Sequence, residues 1–276
     1  MKFSLILRDN LSHFLDILFP LMCLGCAQEG ALLCSQCFAS IACALSNHCA
    51  FCEKATLFGN TCLECSKTRF LDGAISCVPY SHPLILEMLH AWKYNSQILL
   101  TDYFGKFVLM CNQKAILRSK AISAKILQKG IAKKDISYDA IVPALLCERE
   151  ILLKPIPLHP SKEKERGFNQ AKILADFLAR NNEQWAMADF LERAKKTEAQ
   201  ATLGTLDRRY NAKGAFVLRK NSPTDIIAKI KGSHIAIIDD VITTGSTADE
   251  CARVLKCAGA ASVWALTIAY GHPVKK

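Results

Sequence analysis

Eight of the fourteen cysteines stand in four C-x-x-C pairs: Cys23/Cys26, Cys34/Cys37, Cys49/Cys52 and Cys62/Cys65. A C-x-x-C turn puts two thiolates on one side of a tight knuckle, and two knuckles complete a tetrahedral set around one Zn²⁺ at about 2.3 Å per ligand. Four knuckles therefore supply two closed, structural zinc sites. Sequential pairing groups Cys23, Cys26, Cys34 and Cys37, then Cys49, Cys52, Cys62 and Cys65; the spacing also permits an interleaved arrangement. Among the rivals, disulfides require an oxidising compartment, and a thioredoxin-like redox pair is one C-x-x-C rather than four in series. An iron–sulfur cluster also takes four cysteines. Zinc is the reading adopted, with the metal supplying most of the folding free energy of so small a segment. His48, beside Cys49, is expected at the surface. Cys43, Cys77, Cys111, Cys147, Cys251 and Cys257 are scattered.

The second constellation is Ile235-Ala236-Ile237-Ile238-Asp239-Asp240-Val241-Ile242-Thr243-Thr244-Gly245-Ser246-Thr247. A buried apolar strand ends in two carboxylates, and a short hydroxyl-rich loop then opens a helix. Free N–H groups at that helix start, with the positive end of its dipole, make an anion site. Thr243, Thr244, Ser246 and Thr247 add hydroxyl donors, and Gly245 lets the backbone approach a phosphate closely. Thr247 with Glu250 reads as a capping box, and Ser246 with Asp249 nearly so. Adjacent carboxylates repel unless donors or a cation occupy them, so the pair suits ribose hydroxyls and Mg²⁺ beside a phosphate. Neither a G-x-x-x-x-G-K-[ST] loop nor a G-x-G-x-x-G fingerprint is present.

This stretch resembles the phosphoribosyl diphosphate motif of type I phosphoribosyltransferases. Pro157-Leu158-His159-Pro160 and Glu165-Arg166-Gly167-Phe168-Asn169-Gln170 are similar to the P-L-H … R-G-F-N-Q signature of the ComF family. So are Lys195-Lys196-Thr197-Glu198-Ala199-Gln200, with Leu203, Arg208, Asn211 and Gly214-Ala215-Phe216 following, and the earlier His90-Ala91-Trp92-Lys93-Tyr94. The resemblance covers residues 20–272. It implies a double zinc ribbon module over 1–68 and a phosphoribosyltransferase-like domain over 69–276, with a role in DNA uptake or the use of external DNA. It also implies that Asp239 and Asp240 meet the ribose hydroxyls of phosphoribosyl diphosphate while Thr243 to Thr247 hold its 5′-phosphate. His159 to Lys162 then lie near the diphosphate, with Arg166 on the adjoining segment. In a catalytic domain, Lys162, Arg166 and Mg²⁺ stabilise the departing diphosphate, and the two acids orient the sugar. One departure stands out: Asp139-Ala140-Ile141-Val142-Pro143 does not run directly into Pro157, so the strand feeding the diphosphate loop is left open.

The elements that must hold these groups read as alternating strands and helices, which implies a mostly parallel sheet covered by helices in an α/β fold. Strands are expected at Gly73–Tyr80, Ala140–Leu146, Ile151–Leu158, His234–Ile238 and Ser262–Ala269, with a further segment near Met187–Leu191. Helical spacing marks Leu84, Ile85, Met88, Leu89 and Trp92, then 101–134, then a helix capped by Asn169, then one from Thr247. Lys93, ending an amphipathic helix, is expected to snorkel. Over its 276 residues the chain is 51% hydrophobic, which excludes a disordered protein. The net charge is +10, and since residues 1–66 carry three basic and five acidic side chains, all of the positive excess lies beyond residue 66. Positive charge there favours phosphate-bearing partners, single-stranded DNA included. Lys195, Lys196, Arg208, Arg209 and the 118–134 segment are candidate contacts, although stacking aromatics are scarce nearby. The apolar stretch from Leu11 to Ala27 is broken by His13, Asp16 and Pro20. It lacks signal-peptide features, so no membrane insertion and a cytoplasmic location are expected.

Overall fold

In the computed structural model, which describes residues 20–94, 97–128, 149–158, 160–194, 213–219 and 228–271, the apolar runs become one parallel sheet. Its strands are β1 (Gly73–Pro79), β2 (Ile151–Pro155), β3 (Trp185–Met187), β6 (His234–Ile242) and β7 (Ser262–Tyr270). They stand in the order β1-β7-β6-β2-β3. Central strands of a parallel sheet are covered on both faces and so read as continuous apolar runs. Ile235 to Ile238 and Val263 to Ala269 are accordingly buried. One face packs against α3 (Pro83–Tyr94), α4 (Leu100–Gln128) and α6 (Gln170–Arg180), in a core that includes Trp92, Phe104, Leu174, Leu153, Ile238 and Leu266. The other packs against α7 (Ser246–Cys257), whose Ala248, Cys251, Ala252 and Leu255 recur at helical spacing over Ile235, Ile237 and Val263. Each fully buried Ile, Leu or Val stabilises the fold by about 1.5–3 kcal/mol.

A separate antiparallel pair, β4 (Leu191–Arg193) with β5 (Phe216–Leu218), closes over the second face. The expected segment at Met187–Leu191 is thus two short strands in two sheets. The strand expected over Ile151–Leu158 stops at Pro155, and the one beginning at His234 runs on through both carboxylates to Ile242. The long helix expected over 101–134 is described over Leu100–Gln128, and 129–134 lie outside the described residues. Ala140–Leu146, Asp139, His159, and the 195–211 part of the motif series lie outside the described residues. Among the described residues, no helix is long and apolar enough to cross a membrane.

The cysteines pair sequentially. The Sγ atoms of Cys23, Cys26, Cys34 and Cys37 lie within 4.8 Å of one another, as do those of Cys49, Cys52, Cys62 and Cys65. The two units repeat one geometry. Ala27 N–H donates to Cys23 O and Glu53 N–H to Cys49 O, at 2.8 and 2.9 Å, and both Ala27 and Glu53 adopt positive φ. Short helices α1 (Ser35–Ser40) and α2 (Leu63–Ser66) carry the second knuckle of each unit. The donor sets fit a soft tetrahedral cation. In the first, burial pushes the Cys23 thiol up, but three backbone amides outweigh it and bring it down to about 6. Its crowded neighbour Cys37 is driven up to about 12, chiefly by Cys34; four thiols this close ionise together only around a cation. His48 stays outside the set and packs its ring 4.9 Å from that of Tyr270. Of the scattered cysteines, Cys43 and Cys111 lie side by side, their Cα atoms 5.8 Å apart, where the region of the first cysteine unit meets α4.

Candidate functional site

Consecutive strands diverge between β2 and β6: from β2 the chain moves outward to β3, and from β6 it moves the other way to β7. Ligands of open parallel sheets bind outside the carboxyl ends at such a switch point. The segments leaving β2 and β6 flank it here, tied by Ile156 N–H donating to Ile238 O at 3.0 Å. The loop after β2 thus carries Lys162 and Arg166, on α5 (Pro160–Arg166), towards the site. The R-G-F-N-Q run has local reasons. Gly167 ends α5 at φ 80°. Asn169 accepts from Lys172 N–H as N-cap of α6 and donates through Nδ2 to Ile156 O at 3.1 Å.

The turn after β6 forms a concave pocket lined by Asp239, Thr243, Thr244, Gly245, Ser246, Thr247 and Thr267. Gly245 is the N-cap of α7 in the left-handed region at φ 68°, a conformation favouring glycine. Its carbonyl accepts from Asp249 N–H at 2.8 Å, and the Thr244 and Ser246 hydroxyls lie 2.9 Å apart. The anticipated capping boxes do not form. Asp249 is taken by the Phe70 and Leu71 amides at 2.8 and 3.1 Å. Glu250 accepts from Gly214 N–H at 2.8 Å and pairs with Arg253. The N-cap of α7, a glycine, has no side chain to offer the helix amides.

The two acids separate electrostatically. Burial, reinforced by Asp240, lifts the Asp239 carboxyl well above the carboxylate range. Burial also pushes Asp240 up, but Lys93 outweighs it and holds that carboxyl low. Lys93 is therefore no snorkelling cap: it forms an ion pair with Asp240, and the acids raise its own pKa against the effect of burial. Asp240 N–H donates to Asp239 Oδ1 at 2.9 Å.

Cations gather opposite. The Lys162 ammonium is lowered by burial and then by the charges of Arg166, Arg193 and Lys93. Arg166 sits 5.6 Å over the Tyr94 ring. Arg193, on β4, is lowered by burial and feels the charge of Asp239. The structure thus brings Asp239, Asp240, Lys162, Arg166 and the 243–247 turn to one end of the sheet. It adds Arg193, which no sequence signal marked because a three-residue strand has no readable period. The donors at the turn are oxygens only, which suits Mg²⁺: that ion is held by one or two carboxylates and substrate phosphates.

Sheet order, turn and paired acids define an α/β protein of phosphoribosyltransferase-like fold that carries two four-cysteine units. No family model matches the chain. It is 35% identical over 114 residues to Competence protein F of Haemophilus influenzae, an alignment covering 41% of this chain and 48% of that one. It is 28% identical over 203 residues to DNA utilization protein YhgH of Salmonella typhimurium, covering 68% and 80%. It is 35% identical over 131 residues to Competence protein ComFC of Bacillus subtilis, covering 44% and 45%. In the first and last of these the match spans about half the relative's length. The relatives named competence protein and DNA utilization protein, together with the two four-cysteine clusters, support the resemblance to the ComF family.

Proposed function

We propose that this protein binds phosphoribosyl diphosphate with Mg²⁺ and acts in the cytoplasm in the uptake or use of DNA. The observation that carries the reading is the turn itself. A helix start opened by a left-handed glycine and ringed by hydroxyls stands beside a buried carboxyl whose pKa burial raises. In this reading the amides and hydroxyls of Thr243–Thr247 take the 5′-phosphate. Asp239 and Asp240 take the ribose hydroxyls, and the same pair would hold Mg²⁺. Lys162, Arg166 and Arg193 face the diphosphate. Residues 1–68 act as a zinc-bound module and 69–276 as the ligand-binding domain. The names of the relatives, a competence protein and a DNA utilization protein, supply the DNA connection. The positive charge beyond residue 66 suits single-stranded DNA as the partner.

Isothermal calorimetry with phosphoribosyl diphosphate and Mg²⁺ tests this. The wild type binds, and Asp239→Asn/Asp240→Asn does not; unchanged affinity in the variant refutes the site. A gel shift with single-stranded DNA at rising salt tests the partner, and no shift at low salt counts against it.

The cation cluster favours a second reading, a catalytic phosphoribosyltransferase. A nitrogen acceptor forms the bond to ribose C1 as the bond to diphosphate breaks; the diphosphate leaves with the electron pair, its charge stabilised by Lys162, Arg166 and Arg193, and Mg²⁺ held by the two acids would add Lewis-acid stabilisation. The acceptor nitrogen sheds its proton to water. Diphosphate release on adding nucleobases or ammonia separates the two readings.

A further inference from the structure

The second cysteine unit and the phosphate turn are built against each other. Phe51 lies between Cys49 and Cys52, and its ring occupies the space beside Gly245, where an added Cβ would stand 2.8 Å from Phe51 Cε1. Arg69, just beyond Cys65, places its guanidinium 4.9 Å from the Phe51 ring centroid and reaches Asp249 of α7 at 3.3 Å. The amides of Phe70 and Leu71 bind the same Asp249 carboxylate. Both ends of the unit therefore grip the first turn of α7: Phe51 from inside its first knuckle, Arg69 to Leu71 from the chain leaving its last. The first unit, with the same knuckle geometry, sits elsewhere. Phe38, next to Cys37, packs against Tyr103 and Phe107 of α4 at 6.4 and 6.3 Å, and Gly25 faces Leu84 of α3.

We infer that the Cys49/Cys52/Cys62/Cys65 unit is a positioning element of the ligand turn, so that metal occupancy there and sugar-phosphate binding at Thr243–Thr247 are coupled, while the Cys23/Cys26/Cys34/Cys37 unit is not. The inference rests on the reading that this turn binds phosphate. An anion site at a helix start needs its amides held convergent. Gly245, with no side chain of its own, has wide conformational freedom, and the Phe51 ring against it restricts that freedom from outside. Thiols without metal leave the Phe51 loop unfastened and loosen Arg69 from Asp249, so the turn is free to reorganise. Coupling between binding sites is reciprocal. A bound sugar phosphate must therefore tighten metal binding at the second unit by the same factor by which that metal tightens the sugar phosphate.

The test uses the full-length, zinc-loaded chain with phosphoribosyl diphosphate and Mg²⁺ as probe, comparing wild type, Phe51→Ala, Phe51→Leu and Phe38→Ala, each checked for zinc content. Phe51→Ala keeps every cysteine and is expected to bind about tenfold more weakly, within the usual range of coupling between sites. Phe51→Leu, which retains apolar bulk, loses less and stands in should Phe51→Ala fail to hold zinc. Phe38→Ala removes an equal ring from the first unit and binds as the wild type does. In equilibrium competition with a chromogenic chelator, the probe tightens zinc binding at one of the two sites in wild type and at neither in Phe51→Ala. Wild-type affinity in both Phe51 variants, or equal weakening in Phe38→Ala, overturns the coupling and leaves the ligand site standing. No binding by the wild type overturns the site and the coupling together.

Discussion

Replacing Lys93 with methionine removes an ammonium from Asp240 and keeps most of the side chain's apolar volume. In the native site burial pushes the Asp240 carboxyl up, and Lys93 offsets this. Without Lys93, burial is opposed only by the hydrogen bonds from Asp239 and the Val241 amide, and the Asp240 carboxyl rises, favouring proton uptake on folding. Protonating a carboxyl of ordinary pKa near pH 7 costs about 4 kcal/mol, close to the ~3–5 kcal/mol lost when one partner of a buried pair is removed. The paired side chains retain 20% and 16% exposure, so solvent screening brings the expected loss to about 2–4 kcal/mol at neutral pH. The pH dependence identifies the cause. A depressed carboxyl contributes stability above its unfolded pKa and loses it only as pH falls through the still lower folded value. The raised Lys93 pKa contributes below the unfolded lysine value and loses that only in strong base. Neither contribution changes between about pH 7 and pH 5. The variant, with Asp240 raised, gains stability as the pH falls over that range, by up to about 1.4 kcal/mol per pH unit. The gap should therefore narrow on acidification; Asp239 titrates in both proteins. Trp92, Trp185 and Trp264 are all buried in the α/β core, so urea unfolding at fixed zinc can be followed by their fluorescence. A variant as stable as wild type at neutral pH, or a gap that does not narrow, refutes the reasoning.

Gly245→Ala forces a side chain into the left-handed region and against Phe51. It should cost about 1–3 kcal/mol of stability and weaken phosphoribosyl diphosphate binding, both measurable by melting and calorimetry. Arg193→Gln should weaken phosphoribosyl diphosphate binding about tenfold or more, as expected for a lost charge-assisted contact. It should leave ribose 5-phosphate binding unchanged, since that ligand lacks the diphosphate. Elemental analysis should give two zinc atoms per chain; iron, with a brown protein, would contradict the ligand reading of the eight cysteines.

Much of this was legible wherever periodicity or a local pattern is complete within a few residues. The apolar runs at 73–79, 234–242 and 262–270 are strands because a central parallel strand needs apolar residues on both faces. Asn169 caps its helix as its position implies. Four knuckles give two cysteine units, although spacing alone did not choose between sequential and interleaved pairing. What escaped is long-range. Asp249 and Glu250 looked like capping partners of their own helix, yet Asp249 bonds amides 178 and 179 residues away. Lys93 looked like a helix-end cation until the fold brought Asp240 to it. The three-residue strands β4 and β5, and with them Arg193, show no period because they are too short to have one.

The most direct measurement is a crystal structure of the full chain with phosphoribosyl diphosphate and Mg²⁺. The account predicts the 5′-phosphate within hydrogen-bond reach of the 243–247 amides and hydroxyls, with the ribose hydroxyls on Asp239 and Asp240. A ligand held elsewhere, or a turn left empty at saturating ligand, would contradict it.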